Sequence, residues 1–359
     1  MGYTTVANRS GAVAAAAELA AVSLGGAEGP QIRQRLPLLV DQVMAEAGVI
    51  EPDVAARALE QARGDIARAV SLVRAWAAVL PRLARAAVDP AEMRLTRRIT
   101  PAYVDPPGGQ YLGASLDYAH RLLELDGHEP RNGHRPIDQA LEAAPPHRAV
   151  PPRMAPETLP SGIGPLSDEG VLATPSPRAN AADVTREPVT HSERGALLQH
   201  LCRAETGAIT ALAYSAIRGY GQRQDPTIVE LRSGMVDVRV PRPGGGTVTV
   251  GEVELTTVEV VVYRLHDTGA DTCFTLGYGL TPGRIERRAI GAAILDAGCS
   301  RAVVDPPANR PPAEDAEFLS IVLDGQEATG FVEHLKLPHH VTFTSDVDQI
   351  RAAAREEDV

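Results

Sequence analysis

Apolar positions along the chain recur first at helical spacing and later in strict alternation. In "QIRQRLPLLVDQVMAEAG" Leu36, Leu39, Val40 and Val43 fall on one stripe and Gly48 supplies a stop, which predicts a helix. "PDVAARALEQARGDIARAVSLVRAWAAVL" predicts two short helices broken at Gly64, with Asp65 placed to accept the free amides of the second one's first turn. Helical spacing returns in "SERGALLQHLCRAETGAITALAYSAIRGYG". The period then drops to two. "TIVELRSGMVDVRVP" and "GTVTVGEVELTTVEVVVYRLH" alternate β-branched residues on either side of "PGGG", a hairpin signature. "DTCFTLGYGLTPGRIERRAIGAAILDAG" predicts a strand, a glycine-rich loop and a helix. Two short helices, a strand at "HVTFT" and a charged helix close the chain. The expected class is α+β, a helical N-terminal region followed by a mixed helix and antiparallel-sheet C-terminal region.

Between them, residues 128–195 follow neither period and hold 12 of the 29 prolines. That composition predicts a flexible excursion, dividing the chain into 1–127, 128–195 and 196–359. Only 4% of the 359 residues are aromatic, so alanine, valine and leucine must build the core. A net charge of −11 argues against a general nucleic-acid binder, although local arginine clusters still suit a small anion. Cys202, Cys273 and Cys299 are scattered and odd in number, which predicts reduced thiols in the cytoplasm rather than a disulfide framework. "GAVAAAAELAAVSLGG" is interrupted by Glu18 and reads as an alanine-rich helix rather than a leader. No run of about 18 uninterrupted apolar residues predicts a membrane span.

Familiar nucleotide and hydrolase motifs are missing from the sequence: no G-x-x-x-x-G-K-[ST], G-x-S-x-G, C-x-x-C or H-E-x-x-H occurs. What remains is three arginine clusters: Arg94, Arg97 and Arg98 in "MRLTRR", Arg218 in "AIRGYG", and Arg284, Arg287 and Arg288 in "LTPGRIERR" at a helix start. Guanidinium forks match phosphate oxygens, and a helix N-terminus adds free amides. The same arginines can equally be a solvated face. Tyr220 and Tyr278, each within "GYG", suit purine stacking or loop packing. Asp237 and Glu252, on or beside strands, are acids with a partner or ordinary solvent-facing residues. In "HLKLPHH", Pro338 should end a helix and leave His334 and His339 able to share a metal, with a capped helix end as the alternative.

Taken in order, "MRLTRRITPAYVDPPGGQYLG", "DYAHRLL", "ALAYSAIRGYG", "ELRSGMVDV", "TLGYGL", "ERRA" and "GFVEHLKLPHHV" closely resemble the I subunit of the bacterial phosphonate carbon–phosphorus lyase system, the PhnI family. Leu276 departs from the pattern, since an arginine usually precedes the family's second GYG. The resemblance implies a transferase that joins an alkylphosphonate to ribose C1′ of ATP with loss of adenine. It implies nucleosidase activity alone, and partners among the G, H, J, K and L subunits. It also implies zinc at His334 and His339, shared with a partner. Displacement at C1′ passes through a cationic sugar, so Asp237 and Glu252 become the catalytic candidates. Arg94, Arg97, Arg98, Arg218, Tyr220, Arg284 and Arg287 become candidates for holding nucleotide and phosphate. The rival expectation is a scaffold subunit that binds G and J while partners carry the chemistry.

Overall fold

The computed structural model describes residues 29–113, 159–173, 182–186, 193–220, 224–264, 273–304, 309–337 and 340–357. Four helices open it: α1 (Gly29–Arg35), α2 (Pro37–Ala47), α3 (Pro52–Gln61) and α4 (Ile66–Ala78). α2 and α3 begin on proline, whose missing N–H is one of the unbonded amides of a first turn anyway. α2 ends at Gly48, and Asp65 caps α4 by accepting from the Arg68 amide at 3.1 Å, both as the sequence leads one to expect. Val40, Val43, Leu59, Val70 and Val73 close a small core between them.

The second unit is a five-stranded sheet in the order β1-β3-β4-β5-β2, built from β1 (Arg94–Ile99), β2 (Leu172–Ala173), β3 (Pro226–Pro241), β4 (Thr247–Arg264) and β5 (Cys273–Pro282). Pairings are antiparallel except for the short β2–β5 contact. β3 and β4 form the expected hairpin over Gly244–Gly246. The arginine cluster "MRLTRR" lies on edge strand β1. Three helices cover one sheet face: α6 (Arg194–Arg203), α7 (Thr206–Arg218) and the long α8 (Glu286–Val304). Between β1 and β2, residues 159–173 include the short α5 (Gly164–Asp168) and lie on the other side. There Pro160 O accepts from Arg98 at 2.8 Å and the Gly162 amide donates to Glu230 at 3.0 Å. The rest of the proline-rich excursion lies mostly outside the described residues, as does the "DYAHRLL" segment.

Two expectations change. The second "GYG" is a stretch of β5 rather than a ligand loop, and its glycines serve packing. A Cβ on Gly277 would stand 2.1 Å from Ala293 O, and one on Gly279 would stand 1.9 Å from Ala289 O, so α8 lies directly on the strand backbone. "HVTFT" is not a strand either: it opens the last helix, α11 (His340–Glu357), after α9 (Ala316–Val322) and α10 (Gly325–Glu333). Five alternating residues are outweighed by the helix formers "DQIRAAAREE" that follow, and Val341 and Phe343 stay exposed with no sheet to bury them. No helix among the described residues is long and apolar enough to cross a membrane.

Because the α8–β5 contact has no room for one methyl group, Gly279→Ala should destabilise the protein by about 1–3 kcal/mol or more. Urea unfolding measures this; an unchanged midpoint would contradict the packing described.

Candidate functional site

Side chains alternate along a strand, so β4 points Glu252, Glu254, Thr256 and Val258 to one face. Val258 packs under α8, whereas Glu252 and Glu254 lie beyond the first turn of that helix, where the face is open. Asp237 stands directly opposite Glu252 on β3. Arg94 of β1 donates to Asp237 at 2.6 Å and also to Glu252. One guanidinium therefore clamps both sequence-predicted carboxylates. Its hydrogen bond is the chief cause holding the Asp237 carboxyl below its ordinary range.

Next to this clamp, Arg97 donates to Glu286 in the first turn of α8 and to the Leu112 carbonyl. Arg284, in the turn between β5 and α8, has its Nε 3.4 Å from Glu254 and 3.7 Å from Asp41 of α2. Gly283 makes that approach possible: its φ is +72°, and a Cβ there would fall 2.3 Å from Asp41 Cγ. Burial is the largest influence on both Asp41 and Glu254 and pushes both carboxyls up, against the opposing pull of Arg284. Arg287 is exposed and makes no ion pair among the described residues. It lines an open cleft of about 530 Å³ together with Gln42, Thr206, Thr210 and Tyr214. Arg94 thus joins Asp237 and Glu252 on the sheet face, Arg97 and Arg284 pair with acids at and before the start of α8, and Arg287 lines the cleft beside α7.

The other candidates lie elsewhere. Arg98 points through the opposite sheet face, where it makes an ion pair with buried Glu230 at 2.6 Å and bonds to the carbonyls of Pro107, Gly109 and Pro160. Arg218 ends α7 and rests 6.0 Å from the Tyr214 ring centre, and Tyr220 follows it into solvent. His334 opens a single 3₁₀ turn after α10, with Nδ1 against the Phe331 carbonyl, and Leu337 is extended, so the helix does end before Pro338. His339 lies outside the described residues. His340, expected on a strand, is the first residue of α11. Among the described residues no three His, Cys, Asp or Glu side chains gather to hold a metal ion.

Sequence reasoning passed over Asp41, Glu254 and Tyr214. Glu254 was legible, since Glu252 and Glu254 share a face by the alternation of β4. Asp41 was legible as an acid beside the apolar stripe of α2, where a buried carboxylate needs a partner. Tyr214 shows only the spacing of an ordinary helical residue.

An α+β protein with a charged sheet face in front of a long helix is the class that fold and site define. The family model "Bacterial phosphonate metabolism protein (PhnI)" matches residues 2–357, and the chain belongs to that family. A "Putative C-P lyase subunit protein HtxH" of Stutzerimonas stutzeri is 41% identical over 98% of this chain and 95% of its own length. Proteins named "Alpha-D-ribose 1-methylphosphonate 5-triphosphate synthase subunit PhnI" from Rhizobium meliloti (strain 1021) and Escherichia coli (strain K12) are each 38% identical over 91% of this chain. They are covered over 86% and 89% of their own lengths, respectively.

On the opposite sheet face Glu259 lies in register between Glu230 and Tyr278. Its Oε2 is buried without a hydrogen-bond partner among the described residues, and burial pushes the carboxyl from 4.5 to about 7. A raised folded-state value contributes stability that is present below pH 4.5 and lost as pH rises through about 7. Glu259→Gln should therefore match wild type near pH 4.5 and be more stable by roughly 2 kcal/mol at pH 8. Thermal melts across that range check the sign; a variant advantage that shrinks with pH would contradict it.

Proposed function

We propose that this chain is the subunit of the carbon–phosphorus lyase system at which an alkylphosphonate displaces adenine from C1′ of ATP. The product is ribose 1-methylphosphonate 5-triphosphate, and the chain alone cleaves the nucleoside triphosphate with water. The observation that carries the reading is family membership along the whole chain, joined to the gathering of Arg94, Arg97 and Arg284 with Asp237 and Glu252 on one sheet face.

The residues suit this chemistry. ATP carries its base on the β side of the ribose, and the related synthase subunits are named for an α product, so C1′ inverts. Inversion calls for a single displacement in which the anionic phosphonate attacks opposite the base, with no covalent sugar intermediate. Positive charge develops on the sugar, and a fixed carboxylate lowers its energy. Asp237, held ionised by Arg94, takes that part with Glu252 beside it. Arg287 takes triphosphate oxygens, helped by the positive end of the α8 dipole. Arg94 and Arg97 orient carboxylates.

Partners are the G, H, J, K and L subunits. A mainly structural role is the second reading, and one observation favours it: Phe331, Leu335, Val341 and Phe343 near the C-terminus are largely exposed, an apolar surface of the kind partners cover. Of the proposed pair only His334 lies within the described residues, and no three ligating side chains gather among them, so no step is routed through a metal. The narrower proposal is an ion held by His334 and His339 and completed by a partner subunit.

Adenine release from ATP, measured for the chain alone and for the assembled complex with methylphosphonate, tests the reading. Release by both supports the enzyme, and release by partners with this chain's Asp237→Asn and Glu252→Gln changes in place would support the scaffold. Arg287→Ala should raise KM for ATP roughly 10- to 100-fold, the size of a lost charged hydrogen bond, with little effect on cleavage of adenosine. Equal losses on both substrates would remove Arg287 from triphosphate binding. His334→Ala and His339→Ala should each lower the zinc content of the complex, and unchanged zinc would end the shared-metal proposal.

A further inference from the structure

We propose that Glu254 is the acid that protonates the departing adenine, with Asp41 and Arg284 setting where its proton resides. The assignment rests on the nucleotide-cleaving reading above and adds to it the leaving-group acid.

Glu254 lies on the same face of β4 as Glu252, about 7 Å further along the strand. Arg284 is its cationic neighbour at 3.4 Å, and the same guanidinium stands 3.7 Å from Asp41, so one positive charge serves two acids brought from different elements. The two acids are not equivalent. Asp41 also accepts the Arg284 backbone amide at 3.1 Å, and its side chain is only 9% exposed. An amide donor favours the charged form, so of the two acids Asp41 is the better placed to hold the charge and Glu254 the proton. The Glu254 side chain accepts no hydrogen bond among the described residues and is 31% exposed, on the strand face that also holds Glu252 and Asp237. Burial raises its pKa, and the charge of Asp41 raises it further. Asp237, on the same face, is shifted the other way by Arg94. Carboxyls on one face driven in opposite directions make an acid and an ionised partner, the division of labour that glycosidic cleavage needs.

The step balances. The C1′–N9 bond breaks with its electron pair moving into the purine, and the Glu254 proton passes to a purine ring nitrogen, so neutral adenine leaves. A phosphonate oxygen bonds to C1′ from the opposite side. Glu254 is left as a carboxylate beside Arg284 and regains its proton from solvent. The charged groups facing it are Arg284, Asp41 of α2 and, on its own strand, Glu252 with Arg94.

The test uses the assembled complex carrying Glu254→Gln, an isosteric change. Adenine release from ATP should fall by about 10²- to 10⁴-fold, the usual contribution of a positioned acid. Cleavage of a ribose 5-triphosphate bearing 4-nitrophenolate at C1′ should stay within about threefold of wild type, because that group leaves as a stable anion and needs no proton. Wild-type kcat on ATP should decline as pH rises through the Glu254 pKa, and the variant should lack that limb. Asp41→Asn, which leaves Arg284 to Glu254 alone, should move the limb to lower pH. Undiminished adenine release by Glu254→Gln, or equal losses on both substrates, would overturn the assignment. Wild-type complex that releases no adenine would overturn the nucleotide-cleaving reading itself, and this assignment with it.

Discussion

The buried guanidinium of Arg288 ties the two halves of the molecule together. It is 1% exposed and sits in the first turns of α8, where it donates to the carbonyls of Ala204 and Cys202 and to the hydroxyls of Thr206 and Thr281. Its counter-charge is Glu46 of α2, at 3.5 Å, which also accepts the amide and hydroxyl of Thr206. Removing one member of such a pair leaves a buried charge uncompensated, which costs about 3–5 kcal/mol. The consequence reaches beyond stability. Asp41 lies on the same helix as Glu46, so the pair that docks α2 against the sheet also delivers Asp41 to Arg284. Without the N-terminal helices, the charged face in front of α8 would lack one of its acids and a wall of its cleft.

The electrostatics of that face follow from pairing rather than from free cations. Arg94, Arg97 and Arg284 each meet a carboxylate, so what they give the site is fixed geometry and fixed protonation. Arg94 holds Asp237 ionised, whereas burial lifts Asp41 and Glu254 above their ordinary values and Arg284, divided between them, offsets this only in part. Only Arg287 faces the cleft without an ion pair among the described residues. A dense triphosphate would need more positive charge than that, which agrees with a subunit that works inside an assembly.

The sequence disclosed the fold where one signal dominated. Gly48, Asp65 and the "PGGG" hairpin were each legible because caps and turns are local chemistry, and the long alternating strands left no competing period. "LGYGL" misled because glycine that frees a loop and glycine that admits a helix backbone look alike until Ala289 and Ala293 are seen above it. "HVTFT" misled because five residues of alternation carry less weight than the helix that contains them. At the site, residue types were legible but pairings were not: the register that sets Asp237 opposite Glu252 is long-range, and so is the contact of α2 with the turn before α8. Arg98 and Arg97 are neighbours in sequence, yet they project through opposite faces of the sheet, which no composition argument separates.

Nucleotide and phosphonate are proposed to meet on the sheet face in front of α8. Hydrogen exchange on the assembled complex, with and without a non-cleavable ATP analogue plus methylphosphonate, tests it most directly. Ligands should slow exchange in peptides that cover Asp41–Glu46, Glu252–Glu254 and Gly283–Arg288 together, since those segments carry Gln42 and Arg287 of the cleft and the carboxylates Asp41, Glu252 and Glu254. Protection confined to the C-terminal helices, or to the opposite face around Arg232 and Glu259, would contradict the account.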